Sequence, residues 1–470
     1  MTAAATASAS APTREPPRLA FSAPLRLPGA AGGTEPQVTT APDGTRYLIT
    51  GANTTDSSKS SLRIYRSSAG SNIWTPTPGQ MVGTRVPGPD VDVAAASTGR
   101  IVALEEDSAA LSLVINYSDD RGRTWNQSSG LEQLADQDRP WLAAGPHGLV
   151  YLLFHNGFSS NATHNMYVAT SADGGASFGA PVPITLPGTA AWADLQCADS
   201  GGPSALLANN RTGRLYAIWG TRHGPLGGCG VQPPTPFTLV PANRIWVATS
   251  ADAAAGSWST SLAVDDSKRG SVVGMQLSPA ALDSAGNVWL AWTTPPHGFP
   301  DDSGAGIAVA HADPLVRRWS APLTVVPARR PGHLLAQLVA GSPGRLGLLF
   351  LTGSGQRQPL WRPDIAVITG GLTAMPTVRT SRLATLPDYK GTATAMEGSG
   401  CDPSTSPVGT VENNPVTCPR SADVIGLTLD RQCRIVATWP SLSPASNSVL
   451  GVSSDATWVA TQVGGLSLCG

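Results

Sequence analysis

One short pattern that recurs along the chain restricts its fold more than any other feature. Residues 117–127 read YSDDRGRTWNQ, in which Ser118-x-Asp120-x-Gly122-x-Thr124-Trp125 sets a hydroxyl, a carboxylate, a glycine and an aromatic ring at fixed offsets. The same spacing and residue classes return at Ser171-x-Asp173-x-Gly175-x-Ser177-Phe178. Weaker copies end at Trp258, Trp319 and Trp458, and an earlier one, SSAGSNIW, ends at Trp74 with Ala69 where the aspartate should be. Decay of this kind suits a structural turn, where Asp caps local backbone N–H groups and Gly supplies the left-handed conformation.

A second pattern interleaves with the first: a tight turn containing glycine, followed by a strand-like run. It reads APDGTRYLIT at Gly44, ASTGRIVAL at Gly99, GPHGLVYLLF at Gly148 and NRTGRLYAIW at Gly213. It continues as DSAGNVWLAW at Gly286, GSPGRLGLLF at Gly344 and DRQCRIVATW, where Cys433 takes the glycine place. Each unit then has the order strand, Gly turn, strand, variable loop, strand, aspartate turn, strand. Repeated sets of four antiparallel strands mark a β-propeller. The expected fold is all-β with seven four-stranded blades, six being the alternative, and since one blade cannot bury its sheet alone, residues 21–470 are expected to fold as one domain.

Composition agrees. Gly 51 and Pro 41 in 470 residues leave little room for helices. Only 13% of residues are charged and the net charge is -1, which argues against a nucleic-acid protein that reads phosphates with a basic face. No window approaches the roughly 18–20 consecutive apolar residues of a membrane span, so a soluble monomer with no membrane partner is expected. Residues 1–20 are small, polar and Pro-rich and read as a disordered tail of the sort left behind a cleavage site. The six cysteines form no CxxC pair and have no His at zinc spacing, so disulfides explain them and export from the cell follows. Cys197–Cys229, Cys401–Cys418 and Cys433–Cys469 each close a local loop and are the expected pairs.

The Ser-x-Asp-x-Gly-x-Thr-Trp element resembles the Asp-box, or BNR repeat, of secreted bacterial sialidase-like propellers. The resemblance runs from about Phe21 onward, since FSAPLRL is echoed by FGAPVPI at Phe178 and WSAPLTV at Trp319, each as an outer strand. It implies that the motif joins the third and fourth strands of a blade, that its aromatic residue packs between blades, and that Asp120 and Asp173 are structural. It also implies a glycan-cleaving enzyme acting on an acidic or decorated glycan, either a sialidase-like hydrolase or a polysaccharide lyase. Sialidases are six-bladed and carry (Phe/Tyr)-Arg-Ile-Pro at the first blade; this chain reads GGTEPQVTTA there and SLRIYRSS later.

In this topology both kinds of turn close on one face, and chemistry is expected on the other, where loops lead into the inner strands and join second to third strands. The sharpest candidate is DQDRPWLAAG, which opens the third blade: Asp138 as base or orienting group, Arg139 beside it, and Trp141 to stack on a sugar, with an Asp–Arg tie between blades and a core Trp as the competing reading. Asp92 and Glu106 are further carboxyl candidates, alongside Asp90, Asp194, Asp199, Asp423, Glu105 and Asp107, and His155 and His223 are candidate acid–base groups. Arg222, His297, Arg330, His333 and Arg420 are expected to bind substrate, arginine because its fork holds carboxylates. An insertion at about 370–420 is read as a lid in which Tyr389 and Glu397 would stand for a sialidase's Tyr and Glu. No cofactor is expected, with a structural calcium or a His-bound metal left open; a non-catalytic carbohydrate- or protein-binding propeller is the alternative function.

Overall fold

A computed structural model describes residues 18–29, 33–52, 63–83, 87–107, 110, 112–131, 137–156, 165–196, 203–221, 223, 242–267, 279–294, 305–329, 332–354, 360–384, 389–390, 424–442 and 454–470. The seven glycine turns are where the backbone reverses, and all seven need the left-handed region. Gly44, Gly99, Gly148, Gly213, Gly286 and Gly344 have φ of 87, 91, 80, 74, 87 and 72°, and Cys433 has φ 54°. Each turn joins an inner strand to the second strand of the same sheet, giving seven sheets in which consecutive strands pair antiparallel.

The inner strands are Gly33–Thr40, Pro87–Ala95, Asp138–Ala144, Pro203–Ala208, Ala280–Leu282, His333–Ala340 and Gly426–Leu429. Each contacts the next, and the last contacts the first, so the sheets stand as blades around a closed ring. The core lies in the seams. Seven hydrophobic clusters each draw on two neighbouring blades; one joins Tyr151 and Leu153 of blade three to Trp219 and Trp246 of blade four. Second strands pack on both faces, which is why Ile101–Asp107 and Leu215–Thr221 are buried at every residue.

The aspartate turns belong to these seams. In blade two, Asp120 Oδ1 accepts the Arg123 and Thr124 N–H groups at 2.9 and 2.8 Å, and Ser118 Oγ accepts the Gly122 N–H at 2.8 Å. In blade three, Asp173 Oδ1 accepts the Ser177 N–H at 2.9 Å and Ser171 Oγ accepts the Gly175 N–H at 2.7 Å. These bonds hold both carboxyls at about 2. The aromatic at the end of each turn drops into the seam with the preceding blade: Trp74, Trp125, Phe178 and Trp258 are buried there, and Trp319 packs partly buried. The sixth copy differs. Trp458 lies inside the strand Ser454–Gly464 rather than in a turn. No turn to a fourth strand is needed, because the outer strand of blade seven comes from the other end of the chain: Ala20–Phe21 and Leu25–Arg26 pair with Ser454–Gly464.

The echoed segments are outer strands, with Val182–Pro183 in blade three and Leu323–Val326 in blade five beside Leu25–Arg26 in blade seven. Cys433 and Cys469 form the expected disulfide; the other four cysteines lie outside the described residues. Leu19 is buried and Ala20–Phe21 form a strand. The stretch expected as an insertion from about 370 begins with a regular outer strand of blade six, Thr377–Arg382, because it continues the blade's pairing with Leu360–Thr369; residues 391–423, with Glu397, lie outside the described residues.

Candidate functional site

At the end of the blades away from the turns, the inner strands depart from regular pairing. Register shifts fall between Thr34 and Gln37, Pro87 and Val91, Asp138 and Trp141, Pro203 and Ala205, and Leu334 and Gln337. Glu35, Arg139 and Leu335 sit in these bulges with φ of 49, 51 and 50°. A bulge re-aims the side chains around it. In blades one to three, the result is a convergence of acids.

Asp90 and Asp138 come from the inner strands of blades two and three and Glu106 from the end of blade two's second strand; one carboxylate oxygen of each lies within 4.8 Å of the others. Glu106 and Asp138 are buried and Asp90 is half-buried. Asp90 bonds to both Glu106 and Glu35, the latter buried and contributed by blade one. Asp138 faces the other way. Its Oδ1 accepts the Arg139 N–H at 2.8 Å and its Oδ2 lies 3.1 Å from His155 Nε2.

These contacts split the protons. Burial raises Glu106 well above the usual carboxylate range, and the charges of Asp90 and Asp138 add to it. Burial and the charge of Asp138 likewise raise Asp90. For Asp138 burial pulls upward too, but the His155 bond, the His155 and Arg139 charges and the Arg139 N–H outweigh it and the carboxyl is lowered. The arrangement is a hydrogen-bonded Asp90–Glu106 pair that retains a proton beside a carboxylate that does not.

Asp92 stands apart. Its Oδ2 accepts the Leu142 N–H of blade three at 2.7 Å and its Oδ1 the Val93 N–H at 2.7 Å, so it ties two inner strands together, and burial pushes it up to about 7. It joins the blades and is not among the clustered carboxyls. Since the folded chain keeps protons on Asp92, Asp90 and Glu106 that an unfolded chain releases near pH 4, their contribution is full below about pH 4 and falls as pH rises, for Asp92 through about 7. Asp120 and Asp173 act oppositely, stabilising above about pH 4 and losing this as pH falls towards 2. Stability is therefore expected to peak at about pH 4 and to fall on either side. Urea midpoints at about pH 3, 5 and 8 check this, and a rise continuing to pH 8 would contradict it.

The remaining predicted residues divide. Trp141 is half-buried, packs in the seam with blade four and donates its indole N–H to Pro203 O at 2.8 Å, which is the blade-linking arrangement and not an exposed sugar platform. His333 is buried edge-on against Phe350 with Nδ1 3.1 Å from Thr352 Oγ1, and burial lowers it to about 4; it fills the inside of blade six rather than lining a surface for substrate. His223 is half-exposed in blade four and bonds Asp194, apart from the carboxyl cluster. Tyr389 begins a short strand pairing with Leu360 and Trp361. Arg222, His297, Arg330 and Arg420 lie outside the described residues.

Sequence reasoning missed Glu35. The signal was present: TEPQV and DRPWL share a residue followed by proline at the same place in the inner strand, and both residues adopt the bulge conformation.

Neither a protein-family model nor any curated protein matches the chain. Solved propellers do resemble it. The α-L-arabinofuranosidase of Fusarium graminearum with arabinobiose is 11% identical over 96% of this chain and 98% of that one, with a TM-score of 0.44. An ulvan lyase is 11% identical over 73% of this chain and 84% of its own, with a TM-score of 0.45. A protein of unknown function from Dyadobacter fermentans is 14% identical over 95% and 99%, with a TM-score of 0.46. The likeness is to the ring of blades, and at these values it carries no argument about activity.

Proposed function

We propose that the carboxyl cluster is the acid–base site of an exported glycan-cleaving hydrolase, with Asp138 as the carboxylate and the Glu106–Asp90 pair as the proton donor. The observation that carries this reading is the meeting of three carboxyls whose oxygens lie within 4.8 Å, with Asp90 and Glu106 bonded to each other and Asp138 held instead by His155 and the Arg139 N–H, contacts that raise the first two and lower the third. Glycosidic cleavage needs that combination: one acid to protonate the leaving oxygen and one carboxylate to stabilise or attack the sugar carbon. Carboxylate oxygens within 4.8 Å of one another leave no room for a water between them and favour retention of configuration over inversion, which needs roughly 6.5–9.5 Å between the carboxyl groups.

The same groups argue against a uronate-cleaving lyase at this point. His155, the nearest base, is engaged with Asp138. A uronate carboxylate would meet several acids with Arg139 as the nearby cation, and like charges repel at close range. A neutral or only lightly decorated sugar fits better than a polyuronate. The Cys433–Cys469 disulfide suits export to an oxidising compartment.

The test is a screen of 4-nitrophenyl glycosides and neutral polysaccharides with wild type, Asp138→Asn and Glu106→Gln, the anomer of the first product being read by proton NMR. Turnover with retained configuration, lost in both variants, is expected. Equal turnover in all three proteins sinks the reading.

A further inference from the structure

A second constellation lies on the same strand-end face, in blade four, away from the carboxyl cluster. Its centre is Asp194, buried in the short helix Ala190–Leu195. Asp194 accepts Arg244 Nη1 at 3.0 and 3.2 Å and the Trp246 indole N–H at 2.9 Å, with Thr221 Oγ1 at 3.5 Å. The charge of the carboxylate is thus already met by Arg244, which also bonds Asp265. His223 adds a further contact, Nδ1 to Asp194 Oδ1 at 2.8 Å. An oxygen accepting from Arg244 has a lone pair to offer and no proton, so Nδ1 is the donor and Nε2 is left as the basic nitrogen.

The His223 backbone is pinned as well: its N–H donates to Asn243 Oδ1 at 2.7 Å and its carbonyl accepts Asn243 Nδ2 at 2.6 Å. Yet its side chain is 47% exposed, and among the described residues nothing bonds Nε2. Holding a surface imidazole this firmly costs side-chain entropy and adds little burial in return. What the arrangement does secure is the tautomer and direction of one solvent-facing lone pair.

We propose that His223 is a catalytic base, oriented by Asp194 as a positioning residue, that activates water for hydrolysis of an acyl ester. Nε2 takes a proton from water as the water oxygen bonds to the ester carbonyl carbon. When the carbon–oxygen bond to the alcohol then breaks, Nε2 returns that proton to the departing oxygen, giving a carboxylic acid and an alcohol. An ester is the fitting class because carbonyl attack by water needs a base, whereas glycosidic cleavage needs an acid and a carboxylate together, which the described residues of blade four do not present beside Nε2. The inference is independent of the carboxyl-cluster reading.

The probe is 4-nitrophenyl acetate, followed by release of 4-nitrophenolate. His223→Ala and His223→Gln are expected to lose at least about ten-fold in kcat/KM, while His147→Ala keeps the wild-type rate. Both His223 variants alter a half-exposed side chain, and matching melting curves show that the ring is intact. Long-range proton–nitrogen NMR of histidine-labelled protein is expected to place the neutral proton of His223 on Nδ1. Wild-type hydrolysis no faster than buffer, an unchanged rate in both His223 variants, or a neutral proton on Nε2 would each overturn the proposal. Loss of ester hydrolysis in Asp138→Asn alone would do the same, since the activity would then belong to the other site.

Discussion

Asp138→Asn is expected to lower the kcat of glycan cleavage by about 10²–10⁴-fold while the ring stays folded. The amide oxygen can still accept the Arg139 N–H, so the bulge that forms the site keeps its bond. What goes is the negative charge facing the Asp90–Glu106 pair and the partner of His155. The substitution also reaches the acid. Part of the elevation of Glu106 and Asp90 comes from the charge of Asp138, so without it both carboxyls ionise at lower pH. The residual activity should therefore decline earlier on the alkaline side than that of wild type. A pH–rate profile of wild type and variant, with melting curves as the fold control, checks both points. A full-activity Asp138→Asn would leave the cluster with no role in turnover.

A chain beginning at Pro28 is expected not to form a stable ring, whereas one beginning at Arg18 keeps the strands that close it. The segment between them supplies the outer strand of blade seven. Ser22 and Leu27 donate their N–H groups to Thr461 and Thr457 carbonyls at 2.8 and 2.9 Å, and the Thr461 N–H returns to Ser22 Oγ at 3.1 Å. Leu27 is 1% exposed and belongs to the cluster that joins blade seven to blade one, with Val38, Trp74 and Val459. Removing it forfeits roughly 1.5–3 kcal/mol from that side chain alone, and Leu19 and Phe21 come out of the seam between blades six and seven as well. It also bares one edge of Ser454–Gly464, an open strand of the kind that recruits other chains. Against a typical margin of about 5–15 kcal/mol, the sum is large. Melting temperature and light scattering of the two truncations decide the matter; equal melting temperatures would show that the N-terminal strands do not close the ring.

Much of this architecture could be read from local chemistry. A tight reversal needs a residue tolerant of positive φ, and the seven places chosen by their glycine, or by Cys433, are the seven turns. Asp120 and Asp173 were readable as scaffolding for the same reason: an aspartate followed at fixed distance by Gly and an aromatic ring bonds its own turn, and it does. The SSDATW copy misled because the residues that decide whether a turn follows lie at the far end of the chain, in Leu25–Arg26.

The site was legible in part. Asp138, Glu106 and His155 were drawn from loops whose position on the ring follows from strand order. The pairing of Glu106 with Asp90, the union of Asp138 with His155 and the arrival of Glu35 from blade one were not. The sequence on its own determined the periods of the chain, since turn conformation and strand alternation depend on neighbours a few residues apart. Only the closed ring decided how the protons divide, because the Asp90–Glu106 pair within blade two meets Asp138 of blade three and Glu35 of blade one, each about fifty residues from Asp90 in sequence, and because these strands bury one another's carboxyls.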